Sequence, residues 1–218
     1  MVAFRLCDRG FACEHCPFDA AMRRDPLADT GSASPREGRA PVDFPVDRLY
    51  SEAHVWVQTI REGRVRAGID AYAAHLLHPV QHVDRVRGPA RMERGEPWCV
   101  LQAEGGDVPL ALPISGRITG WNAALEESPV LATGEPYGAG WIAEIALSDA
   151  RDLDRFVVAA CAQERTLHDA RQFRRAVAFR LMSRDAVPEP VLDVSFLNHT
   201  RRLVGSDSFV SLAREFLH

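Results

Sequence analysis

The sequence contains no lysine. All 26 of its basic residues are arginines, and 30 acidic residues bring the formal net charge to −4. Without a lysine amine, the chain cannot form Schiff bases, bind phosphate through a P-loop lysine, or carry lipoate or biotin as an amide. Its acidic balance offers no global positive field to nucleic acid or to an anionic membrane. We therefore predict no nucleic-acid partner.

Long apolar runs are also missing from the chain. No stretch approaches the roughly 18 apolar residues of a membrane helix, and the first residues lack the apolar region of a signal peptide. These absences predict a cytoplasmic protein with no membrane partner. In a reducing compartment, the 5 cysteines are expected to be thiols, metal ligands or redox groups rather than structural disulfides.

Composition divides the chain into four segments. Residues 1–24 hold three of the cysteines, and residues 25–47 are rich in Pro, Gly, Ser and charge, as linkers are. Residues 48–160 contain many short β-prone runs, which predict a sandwich or barrel domain. Residues 161–218 are predicted to form a helical C-terminal extension.

Seven strands and one helix are predicted in the barrel segment. The helix covers residues 70–77, with Asp70 as its N-cap and Pro79 as its stop signal. The strands are expected at residues 55–60, 64–69, 80–86, 98–103, 108–114, 117–121 and 141–145.

Apolar residues take up helical spacing after this segment. The stripe consists of Leu153, Phe156, Val157, Ala160 and Cys161. It predicts an amphipathic helix capped by Ser148 or Asp149, with Cys161 as a small buried hydrophobe. A second helical stretch lies around Phe173, and its many arginines are interpreted as a solvated face. The last residues, 191–218, are predicted as a short strand and then a helix from Ser206 or Ser208.

Several motifs of the middle segment resemble the H protein of the glycine cleavage system. The matching stretches are Tyr50-x3-His54-x-Trp56, Gly68-Ile69-x2-Tyr72-Ala73, Pro113-Ile114-Ser115-Gly116, Asn122-x2-Leu125-x3-Pro129 and Pro136-Tyr137-Gly138-x-Gly140-Trp141. Their order and spacing agree with the family over residues 48–160. The resemblance implies a mainly β protein with flanking helices (α+β), a lipoyl-type barrel-sandwich hybrid of two small antiparallel sheets, here with a helical C-terminal extension.

The resemblance also implies a place for the lipoyl lysine, eight residues before the Pro of the Pro-x-Ser-Gly stretch. Counting back from Pro113 reaches Gly105. Gly105 and Gly106 are predicted to form a two-residue hairpin turn, because glycine accepts positive φ without strain. The hairpin is therefore kept while its attachment residue is absent, and no lipoate is expected. We expect Gly105→Lys to be tolerated at this surface turn.

The N-terminal segment places Cys7, Cys13 and Cys16 in a C-x5-C-x2-C-P pattern. A C-x2-C step lets two sulfurs point at one centre, and Pro after Cys recurs in iron–sulfur sequences. We predict that these cysteines bind zinc or an iron–sulfur cluster. A Cys13/Cys16 redox dithiol and thiols without function remain open. The further ligand would be His15, Asp8, Cys99 or a group of a second subunit.

Histidines elsewhere are interpreted as structural or surface residues. Pro79 breaks any helix that would align His75, His78 and His82, so these are predicted to be surface histidines. His54 is expected to be a structural hydrogen-bonding residue rather than a catalytic base.

The function predicted from the sequence is that of a non-catalytic, non-lipoylated H-like module. Its barrel would dock a protein partner, and its N-terminal cysteines would hold a metal or respond to redox state. Two alternatives stay open. The protein could be an accessory of the glycine cleavage or lipoate-handling machinery, or an iron–sulfur electron-transfer protein.

Overall fold

The computed structural model describes residues 43–85, 91–182 and 194–217. The N-terminal cysteine segment and most of the predicted linker lie outside these residues.

Six strands form the larger sheet. In chain order they are β1 (Leu49–Tyr50), β2 (Val55–Arg61), β3 (Arg64–Ile69), β5 (Arg91–Met92), β8 (Gly116–Trp121) and β9 (Ala143–Leu147). Their order in the sheet is β1-β2-β3-β9-β8-β5, and every neighbouring pair is antiparallel. Val65, Ile118 and Ile145 of the central strands point into the core and are fully buried.

Three strands form the smaller sheet: β4 (Val80–Arg85), β6 (Pro97–Ala103) and β7 (Gly106–Ala111). Their order is β4-β6-β7, and both pairs are antiparallel. Trp98 and Leu101 of β6 are buried in the same core cluster as Val65 of the larger sheet. The two sheets thus enclose one core, which confirms the predicted barrel-sandwich.

Helix α1 (Ala71–Leu77) follows β3 as predicted. Its N-cap is Asp70, whose Oδ1 accepts a hydrogen bond of 3.0 Å from the backbone N–H of Ala73. Two further helices, α2 (Ala124–Glu127) and α3 (Leu131–Gly134), were not predicted. Each has only four residues, which is too short for helical periodicity to show in the sequence.

The prediction of a single helix that starts at Ser148 or Asp149 and continues through Cys161 is wrong. Asp149 does cap a helical turn, but that turn is a short 3₁₀ helix over Ala150–Arg155. The chain then runs extended before helix α4 (Ala159–Met182), because the N–H and C=O groups of Val157 both bond to the backbone of Tyr50 at 2.9 Å. A helix through Val157 would lose this pairing. Cys161 is exposed on α4 and is not the buried residue predicted.

Two helices end the described chain, α5 (Val194–Val204) and α6 (Ser206–Arg214). The start of α6 at Ser206 agrees with the prediction. The strand predicted before it is wrong over α5, whose Leu197 and Val204 are buried in the main core. Gly205 separates the two helices with φ +85°, a conformation that glycine adopts without strain.

Candidate functional site at the hairpin tip

The β6–β7 hairpin ends in the turn that contains Gly105. Ala103 pairs with Gly106, so the two central turn residues are Glu104 and Gly105, one residue earlier than predicted. Both glycines have positive φ, +104° at Gly105 and +140° at Gly106, as predicted. A residue with a Cβ atom would be strained at either position.

Helix α6 lies directly on this turn. A Cβ atom on Gly105 would overlap the carbonyl group of Ser206 and would lie 2.8 Å from the amide nitrogen of Asp207. The hydroxyl of Ser206 also donates a 3.2 Å hydrogen bond to the Glu104 carboxylate. The expectation that Gly105→Lys is tolerated assumed an open surface turn, and this premise is wrong, because the backbone of α6 fills the space above Gly105.

Arg201 attaches helix α5 to the barrel. Its guanidinium donates hydrogen bonds of 3.1 Å to the carbonyl oxygens of Leu76 and His78, at the C-terminal end of α1. It also lies 4.9 Å from the ring centroid of Phe209 on α6. Burial lowers the pKa of Arg201, and the Glu104 carboxylate partly opposes this effect. One side chain thus connects α1, α5 and α6.

His54 forms the centre of a second buried polar cluster. Its Nδ1 lies 2.8 Å from Oδ2 of Asp70, and its Nε2 lies 3.5 Å from Oδ2 of Asp169 on α4. The side chains of His54 and Asp70 are 1% and 0% exposed, and that of Asp169 is 23% exposed. Burial opposes protonation of the imidazole. The carboxylates of Asp70 and Asp169 outweigh burial and raise the pKa of His54 to about 9.

A backbone hydrogen bond and a ring contact hold His54 in place. His54 has φ +55°, and its carbonyl oxygen accepts a 2.8 Å hydrogen bond from the amide of Asp70. The Tyr72 ring packs 4.6 Å from the imidazole, centroid to centroid. Asp70 therefore both caps α1 and binds the imidazole. This agrees with the structural role expected for His54.

The residues of the predicted signature motifs hold the backbone between β8 and β9. Asn122 donates hydrogen bonds of 2.7 Å to the carbonyl oxygens of Ala139 and Trp141. A Cβ atom on Gly140 would overlap the carbonyl oxygen of Leu131 and would lie 2.7 Å from that of Glu135. Only glycine fits at this close approach.

The predicted metal ligands Cys7, Cys13, Cys16 and His15, together with Asp8, lie outside the described residues. Within the ranges that the structure describes, no cluster of three or more His, Cys, Asp or Glu side chains is arranged to hold a metal. Cys99 is fully buried in the core, and burial strongly raises the pKa of its thiol.

The three histidines near Pro79 point to different partners. The ring of His75 lies 2.5 Å from the carbonyl oxygen of Ala71, and that of His78 lies 3.1 Å from the Thr133 hydroxyl. His82 lies 3.1 Å from Asp84 on strand β4. The structure does not bring the three rings together.

A model of the glycine cleavage H-protein family matches residues 48–170, from β1 through much of α4. The chain belongs to the glycine cleavage H-protein family. The glycine cleavage system H protein of Mycobacterium avium is 34% identical over 117 residues, 54% of this chain and 89% of that protein. The H protein of Citrobacter koseri is 34% identical over 127 residues, 58% of this chain and 98% of that protein.

A solved H-protein structure supports the same fold. The crystal structure of the Mycobacterium marinum glycine cleavage system H protein matches with a TM-score of 0.50 and 25% identity, covering 56% of this chain and 98% of that chain. Since the family match ends at residue 170, helices α5 and α6 lie beyond it. None of the helices in the described ranges is long and apolar enough to cross a membrane.

Sequence reasoning missed two parts of this site. Asp169 lies 115 positions from His54, and no local pattern links the two residues. The cover that α6 places over Gly105 also depends on residues about a hundred positions apart. The contact between α6 and the turn did have one indication in the sequence. The consecutive glycines at positions 105 and 106 permit close approach of another backbone as well as a tight turn.

Proposed function

We propose that this H-family protein is a non-lipoylated binding or regulatory module. Two observations support the proposal: the chain has no lysine, and Gly105, the residue that the resemblance places at the family's attachment position, lies beneath the backbone of Ser206. The first observation carries more weight, because it removes the attachment amine in any conformation, and the second adds that there is no room for a side chain at Gly105. The hairpin tip then serves as a packing site for α6.

In this proposal the module is not an enzyme. In the described ranges, the polar cluster of His54, Asp70 and Asp169 is largely buried and its groups bind one another. Such a cluster stabilises the junction of α1 and α4 and offers a substrate no reacting group. The function is then to dock a protein partner through the barrel, as an accessory of the glycine cleavage or lipoate-handling machinery or as a regulator of another complex.

The N-terminal cysteines add a metal or redox function to the proposal. Cys7, Cys13 and Cys16 have the spacing of a thiolate site for zinc or an iron–sulfur cluster, with His15 as a candidate fourth ligand. Electron transfer through such a cluster is the alternative from a different functional class. An absorption spectrum of protein purified without oxygen distinguishes a cluster from zinc.

Intact-mass measurement tests the central part of the proposal. The full chain is incubated with lipoate, ATP and a lipoate ligase, beside an H protein that has its attachment lysine. We expect the control to gain the mass of a lipoyl amide and this chain to remain unchanged. A lipoyl mass gain would overturn the proposal. Binding of the full chain to the other purified proteins of the glycine cleavage system then separates the accessory role from regulation elsewhere.

A further inference from the structure

Four arginines occupy one row across the outer face of the six-stranded sheet. Residues at paired positions on neighbouring antiparallel strands project from the same face. The Cα register pairs Arg61 with Arg64, Arg64 with Ala146, Ala146 with Arg117, and Arg117 with Arg91. The row therefore crosses β2, β3, β9, β8 and β5 in a line of about 19 Å, at about 4.8 Å for each strand.

The row faces solvent rather than the core. Arg61, Arg91 and Arg117 are exposed, whereas Val65 and Ile118, next to the row on β3 and β8, are completely buried. Ala146 adds no charge and little bulk at the centre. The result is a strip of guanidinium groups across a sheet whose register shifts beside the row, between Thr59 and Arg61 on β2 and between Ile118 and Gly120 on β8.

Only part of this charge is neutralised within the molecule. Glu144 bonds to Arg64 at 3.4 Å and to Arg66, two residues further along β3, at 2.9 Å. Arg91 and Glu93 are 3.7 Å apart, both largely exposed. In the ranges that the structure describes, no carboxylate forms an ion pair with Arg61 or Arg117.

The arrangement is unfavourable for the isolated domain. Like charges at directly opposed positions of a sheet repel each other. Two such pairs occur here, Arg61 with Arg64 and Arg91 with Arg117, in a chain whose net charge is −4. Folding of the domain does not require this repulsive row. We therefore expect the row at a surface that binds an opposite charge, because binding would offset the repulsion.

We propose that this arginine row is the docking surface for an acidic patch on a protein partner. The proposal rests on the proposed function, since it names the chemistry of the partner that the module docks. Charge complementarity provides the attraction, and planar guanidinium groups can bind carboxylates in a bidentate manner. The negative net charge of the chain and the presence of Glu144 within the face favour a protein over a nucleic acid, because both repel a continuous polyanion.

A binding titration tests the row. The full chain is titrated with a fluorescein-labelled peptide of four Glu-Ser repeats, whose carboxylates are spaced by neutral residues, at about 50 mM salt, and again at about 300 mM salt to screen the charges. The test variant is Arg91→Gln/Arg117→Gln. The matched control is Arg175→Gln/Arg202→Gln, which removes two exposed arginines of α4 and α5 and leaves the same net charge.

We expect the wild-type chain to bind the peptide at the lower salt concentration. The row variant should bind at least about tenfold more weakly and the control variant should bind like the wild type. Equal weakening in both variants, or no binding by the wild type, would overturn the proposal. Tighter binding of a single-stranded oligouridylate of equal charge would overturn the choice of a protein partner.

Thermal unfolding provides a second readout. Because Arg91 and Arg117 repel each other, their replacement by Gln should leave the melting temperature unchanged or raise it, whereas a row with a structural role would lower it. This outcome is independent of lipoylation. A lipoyl mass gain would overturn the proposed function without affecting the proposal for the arginine row. Failure of the titration would overturn the proposal for the arginine row without affecting the proposed function.

Discussion

Gly105 lies directly beneath the backbone of Ser206, with no space between them for a side chain. The two residues are 101 positions apart, and the second belongs to a helix beyond the family match. This contact bears on how the absence of lysine from the chain is interpreted. The backbone of α6 covers this turn, so a side chain introduced at Gly105 would have no path to solvent without displacing the helix.

The first prediction concerns Gly105→Lys in the full chain. Positive φ and overlap with Ser206 should together destabilise the protein by about 2–4 kcal/mol, or displace α6. Asp107→Lys is the matched control, since this exposed residue follows the same turn and its replacement should change stability by about 1 kcal/mol or less. Urea unfolding of both variants provides the comparison. Equal stability of the two would show that α6 does not seal the turn.

The second prediction concerns the cluster around His54. His54→Asn should destabilise the fold by about 3–5 kcal/mol, because it leaves the carboxylate of Asp70 buried without its charged partner. Asp169→Asn should have a smaller effect of about 1 kcal/mol, because this carboxylate is partly solvated. Chemical unfolding at pH 7 measures both. A larger loss for Asp169→Asn would contradict this order.

The third prediction concerns pH. The pKa of His54 in the folded protein, about 9, lies above its ordinary value of 6.5, so the folded state binds this proton more tightly than the unfolded state. The resulting stability is complete below pH 6.5 and is lost as the pH rises through about 9. The difference in unfolding free energy between wild type and His54→Asn should therefore shrink over this range. Parallel curves would exclude His54 as the titrating group.

The fourth prediction compares two glycines near β9. Gly140→Ala should destabilise the protein by about 2–3 kcal/mol, since the new methyl group overlaps the carbonyl oxygen of Leu131. Gly134→Ala is the control, because nothing lies within 4 Å of a Cβ atom there. It should be neutral or slightly stabilising, by about 0.5 kcal/mol. Thermal melts of the two variants provide the comparison. An unchanged melting temperature for Gly140→Ala would show that Gly140 does not lie against the carbonyl oxygen of Leu131.

The fifth prediction concerns metal content. If Cys7, Cys13 and Cys16 are ligands together, changing any one to Ser should remove most of the bound metal, because a hydroxyl is a poor substitute for a thiolate. Cys161→Ser is the control, as this exposed cysteine belongs to α4. Elemental analysis follows purification without oxygen. Equal metal content in all variants and the wild type would leave the redox-dithiol and functionless-thiol interpretations.

Features governed by neighbours in the chain were predicted well. Asp70 was expected to cap α1 and does so, because an N-cap bond joins residues only three positions apart. Strand β3 has the predicted limits. Several features governed by distant pairing were not predicted. The extended segment at Val157 arises from its backbone bonds to Tyr50, and these overrode the apolar helical pattern that surrounds Val157.

By itself, the sequence determined the chemistry that is excluded and the family. The absence of lysine leaves no side-chain amine for amide attachment of lipoate in any conformation. The order and spacing of the motifs identify the family and, through the family, the barrel. Only the tertiary structure decided what covers the hairpin tip, which carboxylates bind His54, and that four arginines from different strands form one row. These features depend on contacts between residues far apart in the chain. No local pattern specifies such contacts, since sheet register and helix docking are set by the packing of the whole core.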